Sequence, residues 1–243
     1  MNDLTDRQIA ILKAIIDEYI ETAEGVGSET LDKKYNLGIS PATIRNEMVK
    51  LTKLGYLHQP HTSAGRTPTS TALKFYIKEL MKTKDLSVAD EVAAKEKVWD
   101  YRRDFDKLLR ETTKTLADKT KTLAISTDEK GDLYYAGAAN VLDMPEFYDI
   151  DLTKNLFSLL DRFDYWDDLI SRVIDGEDPI HLLLGEDLGQ KPLEPCGFVF
   201  IHYQVPLHKG VLGVVGPYRL NYSCVIPTIK YFGSLLEEIG RTW

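Results

Sequence analysis

Cysteine is nearly absent from this chain of 243 residues: Cys196 and Cys224 are the only two. That excludes a disulfide framework and fits a reducing compartment, where two such residues are read as small buried hydrophobes. Long apolar runs are missing too. No stretch approaches the roughly 20 residues that span a bilayer, and the N-terminal MNDLTDRQ lacks the basic and apolar regions of a signal peptide. The cytoplasm is the expected address. At 43% apolar residues the chain still has ample material for one large core or two ordinary ones.

Clusters that carry chemistry are equally scarce. His58 and His61 are close in sequence, but no third Cys or His stands near them and no HExxH occurs, so no metal site is expected. Gly210, Gly213 and Gly216 recur by threes without a following GKS or GKT and without the GxGxxG pattern. They read as closely packed strand glycines, not as a phosphate cradle. Cys196 and His202 share one extended run that separates them by about 20 Å, too far for a thiol and an imidazole to pair. Asp167 with Asp168, and Glu237 with Glu238, read as solvated helix faces. No catalytic residue and no cofactor follow, and the chain is not expected to be an enzyme.

An overall excess of positive charge is the last thing lacking. The net charge is −8, which by itself argues against a nucleic-acid partner. Residues 28–84, however, hold ten Lys and Arg against the four acids Glu29, Asp32, Glu47 and Glu79, so they carry +6 and the remainder −14. Basic character is confined to one segment, as a solvated basic face or a nucleic-acid surface would both require.

What that segment does contain is ordered. Thr5 followed by Gln8 is a capping box, after which Ile9, Leu12, Ile15, Ile16, Tyr19 and Ile20 repeat at helical spacing until Gly25. Ser28 can cap a short second helix through Leu31 and Tyr35, which ends at Leu37-Gly38. Ser40 and Pro41 then open a third helix with Ile44, Met48, Leu51 and Leu54 on one stripe, stopped by Gly55. Its opposite face shows Ala42, Thr43, Arg45, Asn46, Val49, Lys50 and Lys53, small, amide and basic side chains that suit a major groove.

A strand GYLHQ follows, then the polar finger QPHTSAGRTPT over residues 59–69, then another helix. Three helices, a strand, a polar loop and a return describe a winged helix-turn-helix. On this reading Gly65 supplies an unusual backbone conformation and Arg66 reaches phosphate or a minor groove. The expected DNA-binding residues are Ser28, Ser40, Thr43, Arg45, Asn46, Lys50 and Lys53 on the helices and His61, Thr62, Ser63, Arg66 and Thr67 on the finger. A solvated hairpin and a protein-binding winged helix are the alternatives.

Residues 26–81, VGSETLDKKYNLGISPATIRNEMVKLTKLGYLHQPHTSAGRTPTSTALKFYIKELM, resemble the N-terminal domain of the heat-inducible transcription repressors of the HrcA family, most closely in SPATIRNEM and GYLHQPHTSAGRTPT. LYYAGAANVLDMPEF (133–147) and GVLGVVGPYRLNYSCVI (210–226) are similar to two stretches of that family's C-terminal region. The resemblance implies a repressor of heat-shock and chaperone genes at an inverted-repeat operator in double-stranded DNA, a homodimer whose active form is maintained by the chaperonin GroEL. It also implies a GAF-like α/β domain after the winged helix, interrupted in the family by an inserted dimerisation domain. Here TLADKTKTLAISTDEKGDLYYAGAANVL runs from a helix almost directly into the motif, so this is a short form without the insertion. Tyr218, Leu220 and Asn221 stand where the family has Thr, Met and Asp.

Within the C-terminal half, residues 87–120 predict one long amphipathic helix carrying Val98, Tyr101, Phe105, Leu108, Leu109 and Leu116, which either pairs with its twin or packs on its own domain. Strand-like LYYAGAANVL, IHLLLGE, CGFVFIHYQV and KGVLGVVGPY alternate with helical TKNLFSLLDRF, YWDDLISRVI and VIPTIKYFGSLLEEIG, with a turn at His208-Lys209-Gly210. The expected class is α+β: a winged-helix DNA-binding domain over 1–84, a connecting and dimerisation helix over 85–120, and a GAF-like domain over 121–243. A ligand-gated regulator, with a metabolite in an enclosed apolar pocket of that last domain, is the further alternative.

Overall fold

In a computed structural model that describes residues 4–61, 64–173 and 178–241, Thr5 and Gln8 cap the first helix as their spacing predicts. The Thr5 amide donates to Gln8 Oε1 at 3.0 Å and the Gln8 amide to Thr5 Oγ1 at 3.3 Å. This helix, α1 (Asp6–Thr22), ends on Ala23 in the left-handed region, φ 62, two residues before the expected stop at Gly25. Gly27, and not Ser28, is the N-cap of α2 (Ser28–Lys34). The third helix, α3 (Pro41–Lys53), starts as predicted, with the Ser40 hydroxyl accepting from the Thr43 amide at 3.2 Å.

Ile11, Leu12, Ile15 and Ile16 of α1, Leu31 of α2 and Ile44, Met48 and Leu51 of α3 are fully buried, each worth about 1.5–3 kcal/mol relative to exposure. Leu54 falls outside that core, 48% exposed, because α3 stops at Lys53 and Gly55 turns the chain with φ +80. Two short strands follow, β1 (Leu57–His58) and β2 (Thr67–Pro68), paired antiparallel. Thr69 then caps α4 (Ser70–Phe75), which continues as a π-helical turn over Tyr76–Leu80. These elements make up the first of two compact units, Met1–Lys82 and Thr83–Trp243.

The second unit corrects the expectation of one long helix. Residues 87–120 form α5 (Val88–Trp99) and α6 (Phe105–Thr120), separated by turns in which Asp104 becomes a new N-cap, accepting from the Lys107 amide at 3.2 Å. Phe105, Leu108, Leu109 and Leu116 are buried, as are Thr112, Thr113 and Thr115, so the apolar face of α6 packs within its own unit while Asp106, Lys107, Arg110, Lys114 and Asp118 stay exposed.

Strand β3 (Leu123–Asp128) comes next, buried along its whole length and unforeseen in the sequence. After β4 (Leu133–Ala136) the chain turns through α7 (Ala138–Val141), α8 (Ile150–Leu160) and α9 (Phe163–Ser171) to β5 (Ile180–Leu184), β6 (Cys196–Val205), β7 (His208–Pro217) and α10 (Tyr222–Gly240). The strand order is β4-β3-β7-β6-β5, every neighbour antiparallel. The β6–β7 hairpin turns at Pro206 and Leu207, because Val205 already pairs with His208; the predicted turn at His208–Gly210 lies inside β7.

Side chains alternate across this sheet. Cys196, Phe198 and Phe200 meet Leu152, Leu156, Trp166 and Leu169 of α8 and α9 on one face. On the other face Ser126 of β3 bonds Thr113 of α6 at 2.6 Å, and α10 packs on β6. Gly213 is required by closeness: a Cβ there would overlap the Val199 carbonyl of the next strand. A helical winged unit followed by a sheet layered between helices gives the expected α+β class. Among the described residues no helix is long and apolar enough to cross a membrane.

Candidate nucleic-acid interface

The burial of Ile44, Met48 and Leu51 fixes which side of α3 faces outward. Arg45 and Asn46 are exposed near its N-terminal end, and neither side chain has a hydrogen-bond partner among the described residues. Thr43 is half-buried, and its hydroxyl lies 3.0 Å from the exposed Ser40 hydroxyl. Lys53 is exposed at the C-terminal turn. Lys50 is exposed as well, but its Nζ is held by Glu47 Oε1 at 2.8 Å. Glu47, largely buried, also accepts from Gln8 Nε2 of α1 at 3.1 Å. The Lys50 hydrogen bond, against the cost of burial, holds the Glu47 carboxyl below its ordinary pKa.

The finger is tied down more firmly than its composition suggests. Ser28 lies half-buried in the first turn of α2, Thr67 is half-buried in β2, and His61 is exposed; Thr62 and Ser63 fall outside the described residues. The Gln59 side-chain amide donates to the Ala64 carbonyl at 3.0 Å, and the Ala64 amide to the His61 carbonyl at 2.9 Å. Val26 and Arg66 then exchange two backbone hydrogen bonds, both 2.9 Å, adding a third rung beside the β1–β2 pair.

That rung corrects two expectations. Gly65 has no positive φ; it is required because a Cβ would overlap the Gly25 carbonyl and the Val26 nitrogen. Arg66 does not reach outward from a tip: it is 8% exposed, and its Nε donates to the Thr52 hydroxyl of α3 at 3.0 Å. Sequence reading missed Gly25 and Val26 as partners of the finger, although a second glycine some 40 positions upstream of Gly65 is the trace such a backbone contact leaves.

Between the start of α2, α3 and the finger lies a polar cleft of about 380 Å³ lined by Ser28, Arg45, Gln59 and Arg66 among others. Burial pushes the Cys196 thiol up to about 12, and both cysteines are free. Among the described residues no three His, Cys, Asp or Glu side chains gather as a metal site.

Comparison with known proteins follows this division. A family model described as the winged helix-turn-helix transcription repressor, HrcA DNA-binding, matches residues 3–82, and one described as the HrcA protein C terminal domain matches residues 45–226. The heat-inducible transcription repressor HrcA of Symbiobacterium thermophilum is 27% identical over 341 aligned positions, covering 98% of this chain and 99% of the relative. That of Carboxydothermus hydrogenoformans is 26% identical over 337, covering 97% and 98%. Alignments of that length against 243 residues leave about a hundred positions of each relative without a counterpart. A solved structure described as a hypothetical protein at 2.2 Å resolution shares the fold, with a TM-score of 0.79 over 99% of both chains at 21% identity.

Proposed function

Because the chain belongs to the HrcA family, the heat-inducible, DNA-binding transcription repressors of heat-shock genes, we propose that it acts in the cytoplasm as a homodimer at an inverted-repeat operator of chaperone genes, with the chaperonin GroEL as the partner that maintains its active form. The observation that carries the DNA-reading part is the outer face of α3. Asn46 is an exposed amide near the start of a helix whose other side is fully buried, and an amide in that position can bond an adenine edge in two places. Ser40, Thr43, Lys50 and Lys53 flank it along the groove, and His61 and Thr67 lie on the wing side.

Selecting duplexes from a random pool with the full-length protein tests this directly. An inverted repeat should emerge, and Asn46→Ala should then lose about 1–3 kcal/mol of operator binding with an unchanged melting temperature. A pool without enrichment, or without salt-dependent binding at all, returns the winged helix to the protein-binding alternative.

Two-fold operators call for two copies. With the apolar face of α6 buried, α5 still leaves three apolar side chains outside, Val88 at 76%, Val92 at 50% and Trp99 at 38% exposure, and we assign the contact between copies to it. Wild-type protein should sediment as a dimer and Val92→Glu as a monomer; a wild-type monomer both free and on DNA rejects the assignment. The metabolite-gated alternative draws no support from the α8–α9 face of the sheet, where Trp166, Phe198, Phe200 and Leu156 occupy the interior.

A further inference from the structure

Three charged side chains of the first unit are buried among the described residues: Glu18, Glu47 and Arg66. Glu18 has Lys34 at 2.7 Å and Glu47 has Lys50 at 2.8 Å. Among the described residues, the Arg66 side chain has the Thr52 hydroxyl on its Nε and no carboxylate within ion-pair distance. A guanidinium carries five N–H donors; with Nε bound to Thr52, the remaining N–H groups of Arg66 open on the adjoining cleft. A cation without an acidic partner at the wall of a polar cleft is placed to meet an anion entering that cleft.

Its surroundings point to what completes it. Arg66 lines the polar cleft together with Arg45 of α3, the Ser28 and Thr30 hydroxyls and Gln59; among the described residues the one carboxylate on the lining is Glu29, which is exposed. Burial first, and the neighbouring Arg45 charge second, push the Arg66 guanidinium below its ordinary pKa. Two permanent cations converging on one polar cleft repel each other until an anion enters.

We propose that this cleft receives one backbone phosphate of duplex DNA, held by Arg66 from the wall and by Arg45 from α3. The proposal rests on the DNA-binding reading above and moves Arg45 from base recognition to the backbone. Arg66 is then an anchor: the Val26 rung fixes its backbone and Thr52 its side chain, so the phosphate it holds sets the register in which Asn46 meets the bases.

Titration of full-length protein with a selected and a random duplex over a range of salt concentrations tests this, using Arg45→Met, Arg66→Met and the double variant. Each single change should weaken both duplexes alike and lower the salt slope by about 0.9, one phosphate's worth, and the double variant should lose no more slope than either single. Unchanged slopes beside normal wild-type binding overturn the phosphate site and leave the DNA-binding reading standing, as do additive slope losses for the shared phosphate. No wild-type binding to either duplex defeats the earlier reading instead. Should Arg66→Met fail to fold, Arg66→Lys replaces it: the charge survives and the planar fork does not, so the slope should hold while affinity for both duplexes drops. Equal affinity in that variant rejects the proposal. Inorganic phosphate that raises the melting temperature while the DNA slopes stay unchanged assigns the cleft to a free anion and also overturns it.

Discussion

Gly65→Ala is expected to destabilise the winged unit by about 3 kcal/mol and to remove most DNA affinity with it. The single methyl would overlap the Gly25 carbonyl and the Val26 nitrogen, both backbone, so no side chain can swing aside to admit it. Relief requires the two chains to part. That breaks the two 2.9 Å hydrogen bonds between Val26 and Arg66, each worth about 1 kcal/mol, and unseats the Arg66 side chain from Thr52. Because Gly65 has an ordinary φ, the loss is steric and owes nothing to backbone preference. Denaturant titration of wild type and variant measures it. A Gly65→Ala protein as stable as wild type would show that the rung dispenses with this contact.

Trp166→Ala should cost the sheet unit about 3–5 kcal/mol. The indole is 1% exposed, meets Tyr165 and Phe198 edge-on at 5.2 and 5.3 Å between ring centres, and donates from Nε1 to the Leu159 carbonyl at 2.7 Å. Truncation leaves a void between α8, α9 and the sheet and removes the indole donor from the Leu159 carbonyl, which keeps the Arg162 amide at 3.1 Å. Trp166→Phe keeps most of the volume and loses the donor, so the difference between the two variants separates packing from the hydrogen bond, about 1 kcal/mol. The unfolding free energy by denaturant decides the matter; a loss under about 1 kcal/mol for the Ala variant means the layer is not close-packed.

The sequence carries its helix starts plainly, because caps are local. Thr5 with Gln8, and Ser40 with Pro41, each place an acceptor within three residues of the amide it must satisfy. The break between α5 and α6 hides because Val98, Tyr101, Phe105 and Leu108 keep helical spacing straight across it; only the Asp104 cap betrays a new start. Strand β3 hides for a related reason. The helix before it ends on Lys121 with φ 55, where glycine would have marked the stop, and no proline separates the two elements. Of the interface, the outward side of α3 follows from its own periodicity. Arg66 does not, since its burial is decided by Val26, a partner 40 residues upstream that no local pattern announces.

Strand β3 also sets an order of events during synthesis. It pairs on one side with β4, only a short turn away, and on the other with β7, Leu123 against Val215, so its second edge stays open until some ninety further residues have been made. Residues 1–82 have no such debt: every strand rung there closes within the unit itself. Domains fold as units and N-terminal first on a growing chain, and long-range pairing is the slow step. A ribosome therefore displays a finished DNA-reading head while the sheet behind it is still an unpaired edge, and a cell short of folding capacity loses the second half of this protein before the first.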